Sequence, residues 1–166
     1  PQHVAALARG QNAREAVGEE IDIALHCHGE LDTPSAIRVA RAIEPVNPLF
    51  MEDALNAPYS EGWASLKRET RVTMLTGEKL ELLLQFKPFL DTQAVDIIHP
   101  DLAFAGGFTG TKKISDYAQL MRTPLALHNV GSLVLPYASA QFGSSLHNFF
   151  RSERAMGRQE RHVAKL

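Results

Sequence analysis

A chain of 166 residues that is 45% hydrophobic can bury a sizeable core and most simply forms one domain. Its net charge is −2 and its pI about 6.4, with lysines and arginines scattered singly, so no basic stripe offers itself to nucleic acid. No apolar run approaches a membrane span, no signal peptide opens the sequence, and the single Cys27 cannot form an internal disulfide; together these fit a cytoplasmic protein with no membrane partner.

Pro1 in place of methionine fits either processing or the absent front of something longer. Residues 2–17 read as a helix with scattered apolar positions, weakened by Gly10. Ile21–His28 reads as a strand. Leu31-Asp32-Thr33-Pro34 is a helix start, with Asp32 or Thr33 as cap and proline in the first turn. Ile37, Ala40 and Ile43 supply that helix's apolar stripe and Pro45 stops it. Leu49–Met51 is the next strand, followed by a short helix near Gly62–Arg68. Val72–Thr76 is a strand, and a helix fills about 79–90. Ala94–Ile98 is a strand ending in His99-Pro100-Asp101. The Gly106-Gly107 pair serves a tight turn, and Ile114, Tyr117, Ala118 and Met121 face inward from the helix after it. Pro124–Leu127 is a strand leading to His128. Leu133–Leu146 forms a helix with Pro136 in its first turn. Asn148–Arg151 is a weak last strand, and the basic tail 154–166 extends as a further helix.

Six chemically capable residues recur along this pattern at intervals of 23–27 residues: His26, Glu52, Glu78, Asp101, His128 and Glu153. Most close a short Val/Ile/Leu-rich segment that precedes helix-like sequence. That is the layout of a parallel sheet rolled toward a (β/α)8 barrel, whose strand ends share one mouth. A complete barrel usually takes about 250 residues, so the expected fold is an α/β partial barrel of about six βα units. Glu52 and Glu78 offer hard oxygen ligands suited to Mg²⁺ or Mn²⁺. Asp101 and His128, on the next two strands, can pair, the carboxylate orienting the imidazole and raising its basicity. Taken singly, a strand-end glutamate is usually solvated and a lone histidine usually structural. Their joint spacing is what argues for chemistry.

The motifs Met-Glu-Asp at 51–53, Thr-Gly-Glu at 76–78, Val-Asp-Ile-Ile-His-Pro-Asp at 95–101 followed by Gly-Gly, and Leu-His-Asn-Val-Gly-Ser at 127–132 add a family signature. In this order they resemble the mandelate racemase/muconate lactonizing enzyme group of the enolase superfamily, from about residue 2 to 153. The resemblance implies an incomplete C-terminal barrel domain over 1–166, strands three to eight of the family's barrel, without the N-terminal capping domain. It implies Glu52 and Glu78 as Mg²⁺ ligands, Asp101 and His128 as the dyad whose histidine is the general base, and Glu153 as a hydrogen-bond partner of a substrate carboxylate. In the family's acid-sugar dehydratases the third strand ends in Asp-x-His, where the aspartate is a metal ligand and the histidine an acid. Here the stretch is His26-Cys27-His28. His28 keeps the acid's place, and strand alternation points residues 26 and 28 the same way. His26 replaces the aspartate, and a His/Glu/Glu site either takes Mn²⁺, Fe²⁺ or Zn²⁺ in place of Mg²⁺ or binds no metal.

The expected function is therefore sugar-acid dehydration, a hydro-lyase reaction on a small acid sugar, by a homo-oligomer. The alternatives are racemisation or epimerisation of a 2-hydroxy acid, which wants a base on each face of the substrate, and a truncated, catalytically impaired homologue. A zinc-dependent barrel hydrolase using His26 and His28 is the remaining option.

Overall fold

The computed structural model describes residues 2–131 and 134–153. The helix expected over the basic tail 154–166, the helix start at Leu133 and the Ser132 of the last motif lie outside the described residues. Among the described residues, six helices and six strands alternate along the chain. α1 is Gln2–Val17, β1 Ala24–His26, α2 Thr33–Ile43, β2 Phe50–Glu52, α3 Glu61–Glu69 and β3 Met74–Thr76. α4 is Leu82–Asp91, β4 Ile97–Ile98, α5 Gly107–Leu120, β5 Leu125–Leu127, α6 Val134–Ser144 and β6 Phe149–Ser152. The class is α/β with six parallel strands, a partial (β/α)8 barrel in its succession of elements. No helix is long and apolar enough to cross a membrane among the described residues.

Among the described residues the chain clusters into two compact units, the first formed by residues 2–76 with Pro88–Ile97 and the second by Gly77–Lys87 with residues 98–131 and 134–153. In the first unit β1, β2 and β3 pair in parallel, with His26 opposite Glu52 and Glu52 opposite Leu75. Its core is built on Trp63, Leu66, Met51, Met74, Leu75 and Phe89, all under 2% exposed. The Tyr59 and Trp63 rings each meet Phe89 edge-on, at 5.3 and 5.4 Å. Asp32 caps α2, its Oδ1 accepting from the Ser35 N–H at 2.7 Å, and Pro34 lies in the first turn. Pro45 falls in a 3₁₀ turn over Glu44–Val46 that ends the helix. β1 is shorter than its apolar sequence suggests. The carbonyl of Ile21 is taken by the Arg14 guanidinium at 2.8 Å, and the same side chain reaches the Gly18 carbonyl at 2.7 Å. This arginine ties the end of α1 to the loop, so the segment before Ala24 is spent on a helix terminus.

In the second unit β4, β5 and β6 are parallel, with Ile98 opposite Leu125 and Leu127 opposite Ser152. Phe86, Leu80, Ile98, Ile114 and Leu125 form its core, each under 2% exposed. Gly77 and Gly106 are among the glycines that the geometry requires. Gly77, with φ +142°, follows β3, and a Cβ there would lie 2.8 Å from the Phe86 ring and 2.9 Å from the His99 nitrogen. Gly106, with φ +91°, caps α5 from the left-handed region. β2, β3, β4 and β5 are buried throughout, whereas β1 and β6 are only half covered.

Candidate active site

Each unit carries its own share of the strand-end residues. In the first unit Glu52 closes β2 and is 3% exposed, and its Oε2 lies 2.6 Å from Nδ1 of His26, the partly exposed last residue of β1. The parallel register places these two residues side by side. His28 is exposed, and its ring lies 6.1 Å from that of His26. The strand stops at His26 and His28 has φ +53°, so strand alternation does not govern its direction. Next to Glu52, Asp53 is buried and its Oδ1 accepts the Thr76 hydroxyl at 2.6 Å. The Cys27 thiol is pushed up to about 12, first by burial and then by the negative charges of Asp53, Glu52 and Glu30. It is not an activated nucleophile.

The second unit gathers Glu78, Asp101, His128 and Glu153. Asp101 and His128 form a parallel bridge between their backbones, and the His128 N–H donates to the Pro100 carbonyl at 3.1 Å. Their side chains meet at 2.7 Å between Asp101 Oδ2 and His128 Nδ1. The other oxygen of Asp101, Oδ1, accepts the Ala103 N–H at 2.7 Å, which holds the carboxylate in place. On the far side of the ring, His128 Nε2 lies 3.1 Å from Glu78 Oε2 and 3.7 Å from Glu153 Oε2. Burial alone pulls the His128 pKa down. The hydrogen bonds to Asp101 and Glu78 and the charges of Glu78 and Glu153 outweigh it and raise the pKa to about 10. In this arrangement the ring holds its proton at neutral pH.

The sequence reading passed over two residues here. His99 is 3% exposed, stands edge-on to His128 at 5.5 Å and has Nε2 4.0 Å from Glu153 Oε2. Asn129, also buried, bonds Ser139 and Ser152. For His99 a signal was present: it sits two residues before Asp101, just past a strand end. For Asn129 there was none beyond its place after His128.

The expected metal ligands do not form a magnesium site as they stand. In neither unit are three His, Cys, Asp or Glu side chains gathered to hold a cation, among the described residues. Glu52 is engaged by His26 and Glu78 by His128, with Lys79 Nζ a further 3.5 Å from Glu78 Oε1. Two carboxylates suit a hard cation, but an imidazole does not.

Residues 2–165 match the family described as enolase C-terminal domain-like. A D-galactonate dehydratase from Variovorax paradoxus is 32% identical over 153 residues, covering 92% of this chain and 40% of that protein. A D-xylonate dehydratase from Haloferax volcanii is 34% identical over 134 residues, or 81% of this chain and 32% of that one. The crystal structure of a mandelate racemase/muconate lactonizing enzyme-like protein from Rubrobacter xylanophilus superposes with a TM-score of 0.88 at 35% identity. It covers 94% of this chain and 40% of its own. The chain thus spans about two fifths or less of the length of these relatives. Fold, motif order and these likenesses agree: the chain belongs to the enolase C-terminal domain-like family, in the mandelate racemase/muconate lactonizing enzyme group of the enolase superfamily.

Proposed function

We propose that this chain carries the proton-transfer machinery of a sugar-acid dehydratase. The observation that carries the reading is the pair formed by buried Asp101 and partly buried His128, 2.7 Å apart at adjoining strand ends. Dehydratases of D-galactonate and D-xylonate among the relatives support the substrate class. His128 takes the proton next to the substrate carboxylate at Nε2. For that step the imidazole must be neutral, so the contact from Glu78 is given up as the α-carbon takes its place. Glu153, on the same side of the ring, hydrogen-bonds a substrate carboxylate oxygen with its carboxyl O–H as the donor. The β-hydroxyl leaves as water with a proton from His28, and the enol that remains tautomerises to a 2-keto-3-deoxy acid.

A divalent cation, when bound, would lower the cost of the enediolate charge. The reading assigns Glu52, Glu78 and His26 as its ligands, with Mn²⁺ or another imidazole-tolerant ion better matched than Mg²⁺.

The test is direct. The 166-residue chain, given Mn²⁺ or Mg²⁺ and a panel of sugar acids that includes D-galactonate and D-xylonate, should form a 2-keto-3-deoxy acid detectable as its semicarbazone. His128→Asn should abolish the product. No turnover of any sugar acid, with the cation demonstrably bound, overturns the reading.

A further inference from the structure

Beside His128 lies a buried side chain to which the reaction above gives no task. Asn129 is 3% exposed, and its amide joins three elements. The hydroxyl of Ser139, on α6 and 0% exposed, donates to Asn129 Oδ1 at 3.0 Å. Asn129 Nδ2 donates to Ser152 Oγ, on β6, at 2.6 Å. The Ser152 hydroxyl donates in turn to the Glu153 carbonyl at 3.3 Å. All three bonds point the same way, from α6 through the end of β5 to the end of β6, so each polarises the next. The Asn129 backbone N–H donates to Glu153 Oε2 at 3.4 Å, and the Glu153 N–H donates to the Leu127 carbonyl at 2.8 Å. Glu153 is therefore fastened at its N–H and its carboxylate to the segment that carries His128, while its carbonyl is held by Ser152, which Asn129 holds in turn.

We propose that Asn129 is a positioning residue. Through Ser139 and Ser152 it fixes the distance between the Glu153 carboxylate and His128 Nε2, 3.7 Å here, and so sets where a substrate carboxyl group sits relative to the base. The functional half of this inference rests on the dehydratase reading. Asparagine suits the post because it accepts at one end and donates at the other. An aspartate could accept from Ser139 but could not donate to Ser152.

The experiment uses the full chain with Ser152→Ala, Ser139→Ala, Asn129→Asp and the conservative Ser152→Thr. Amide hydrogen exchange is read residue by residue. In the first three variants the Asn129 and Glu153 amides should exchange about tenfold faster, the size expected for one buried hydrogen bond, while amides of α2 and α3 keep their rates. Ser152→Thr should restore the slow exchange. On whichever sugar acid the chain turns over, the same three variants should lower kcat about tenfold and change KM far less, because a hydrogen bond donated by Glu153 to the substrate carboxylate strengthens as enediolate charge develops. Unchanged exchange at residues 129 and 153, or faster exchange throughout the chain, overturns the clamp. Localised loosening with kcat intact overturns its positioning role. If the unmodified chain turns over nothing while exchange responds as described, the clamp stands and the dehydratase reading falls.

Discussion

Asp101 spends one carboxylate oxygen on its own turn and the other on His128. Oδ1 accepts the Ala103 N–H at 2.7 Å and Oδ2 faces His128 Nδ1 at the same distance. The first contact fixes the rotamer that makes the second possible. With a carboxylate at Oδ2, the imidazole keeps its hydrogen on Nδ1 and presents a lone pair at Nε2 when neutral. Asp101→Asn should preserve the Ala103 contact and turn an amide donor toward Nδ1, which moves the ring hydrogen to Nε2. The melting temperature should change little, while kcat for sugar-acid turnover falls about 10³-fold or more, by analogy with serine-protease triads. A loss below about tenfold would show that tautomer control is not what Asp101 supplies.

His26 sets the metal question apart from the proton-transfer question. His26→Asp replaces a nitrogen donor with a carboxylate beside Glu52 and should tighten Mg²⁺ binding by about tenfold or more, measured by calorimetry. Two carboxylates side by side repel when no cation is present. The variant should therefore melt lower than the parent in chelator and recover on adding Mg²⁺. Equal Mg²⁺ affinity in both proteins would remove residue 26 from the site.

Glu44 gives the first unit a pH-dependent contribution to stability. Its Oε1 accepts the Arg71 N–H and the Thr70 hydroxyl, each at 2.9 Å. These bonds, with smaller help from the Arg71 and Arg41 charges, hold its pKa below the usual glutamate range. A lowered folded-state pKa stabilises above the unfolded-state value and loses that contribution as pH falls through the folded one. Glu44→Gln should thus melt below the parent at pH 7, and the gap should close as the pH is taken below the ordinary carboxylate range. A gap that stays constant with pH would mean that the charge is not involved.

The buried Thr76–Asp53 hydrogen bond, 2.6 Å long, should matter more than a surface contact. Thr76→Val keeps the shape and β-branching of the strand and removes the donor. The expected loss is about 1–3 kcal/mol in a denaturant titration, since a charged acceptor is buried there. A change within about 0.5 kcal/mol would show that other partners of Asp53 suffice.

Strand ends were far easier to read than strand beginnings. A residue such as Glu52, His99 or His128 interrupts an apolar run abruptly, so the polar residue marks where the strand stops. Nothing equivalent marks where one starts. Ile21 and Ile23 look like strand, yet Ile21 is 56% exposed and its carbonyl serves Arg14, a contact with a residue one helix away. α4 begins at Leu82 and not near 79, because Leu80 turns into the core with its N–H on the Gly77 carbonyl and Leu82 itself has φ +48°. The chemistry showed the same division. The Asp101–His128 pair was legible because the two lie on consecutive strands. The His26–Glu52 contact was not, because spacing gives a residue's height on a strand and not which neighbour its side chain chooses. Asn129 stood inside the Leu-His-Asn-Val-Gly-Ser motif but drew no role, for a related reason: its partners, ten residues and more away, are two serines with no signal of their own.

Gly77 bears on how this scaffold can diversify. The residue sits between Thr76 and Glu78, and both the Phe86 ring and the His99 backbone close on the space a side chain would need. Selection acting on a library randomised at this codon should return glycine, however the assay is chosen, because any other residue displaces the turn that delivers Glu78. His26, by contrast, is an exposed residue at the end of β1. New specificities would then be gained by exchanging side chains around a turn of fixed shape, with the loop after β3 inherited unaltered.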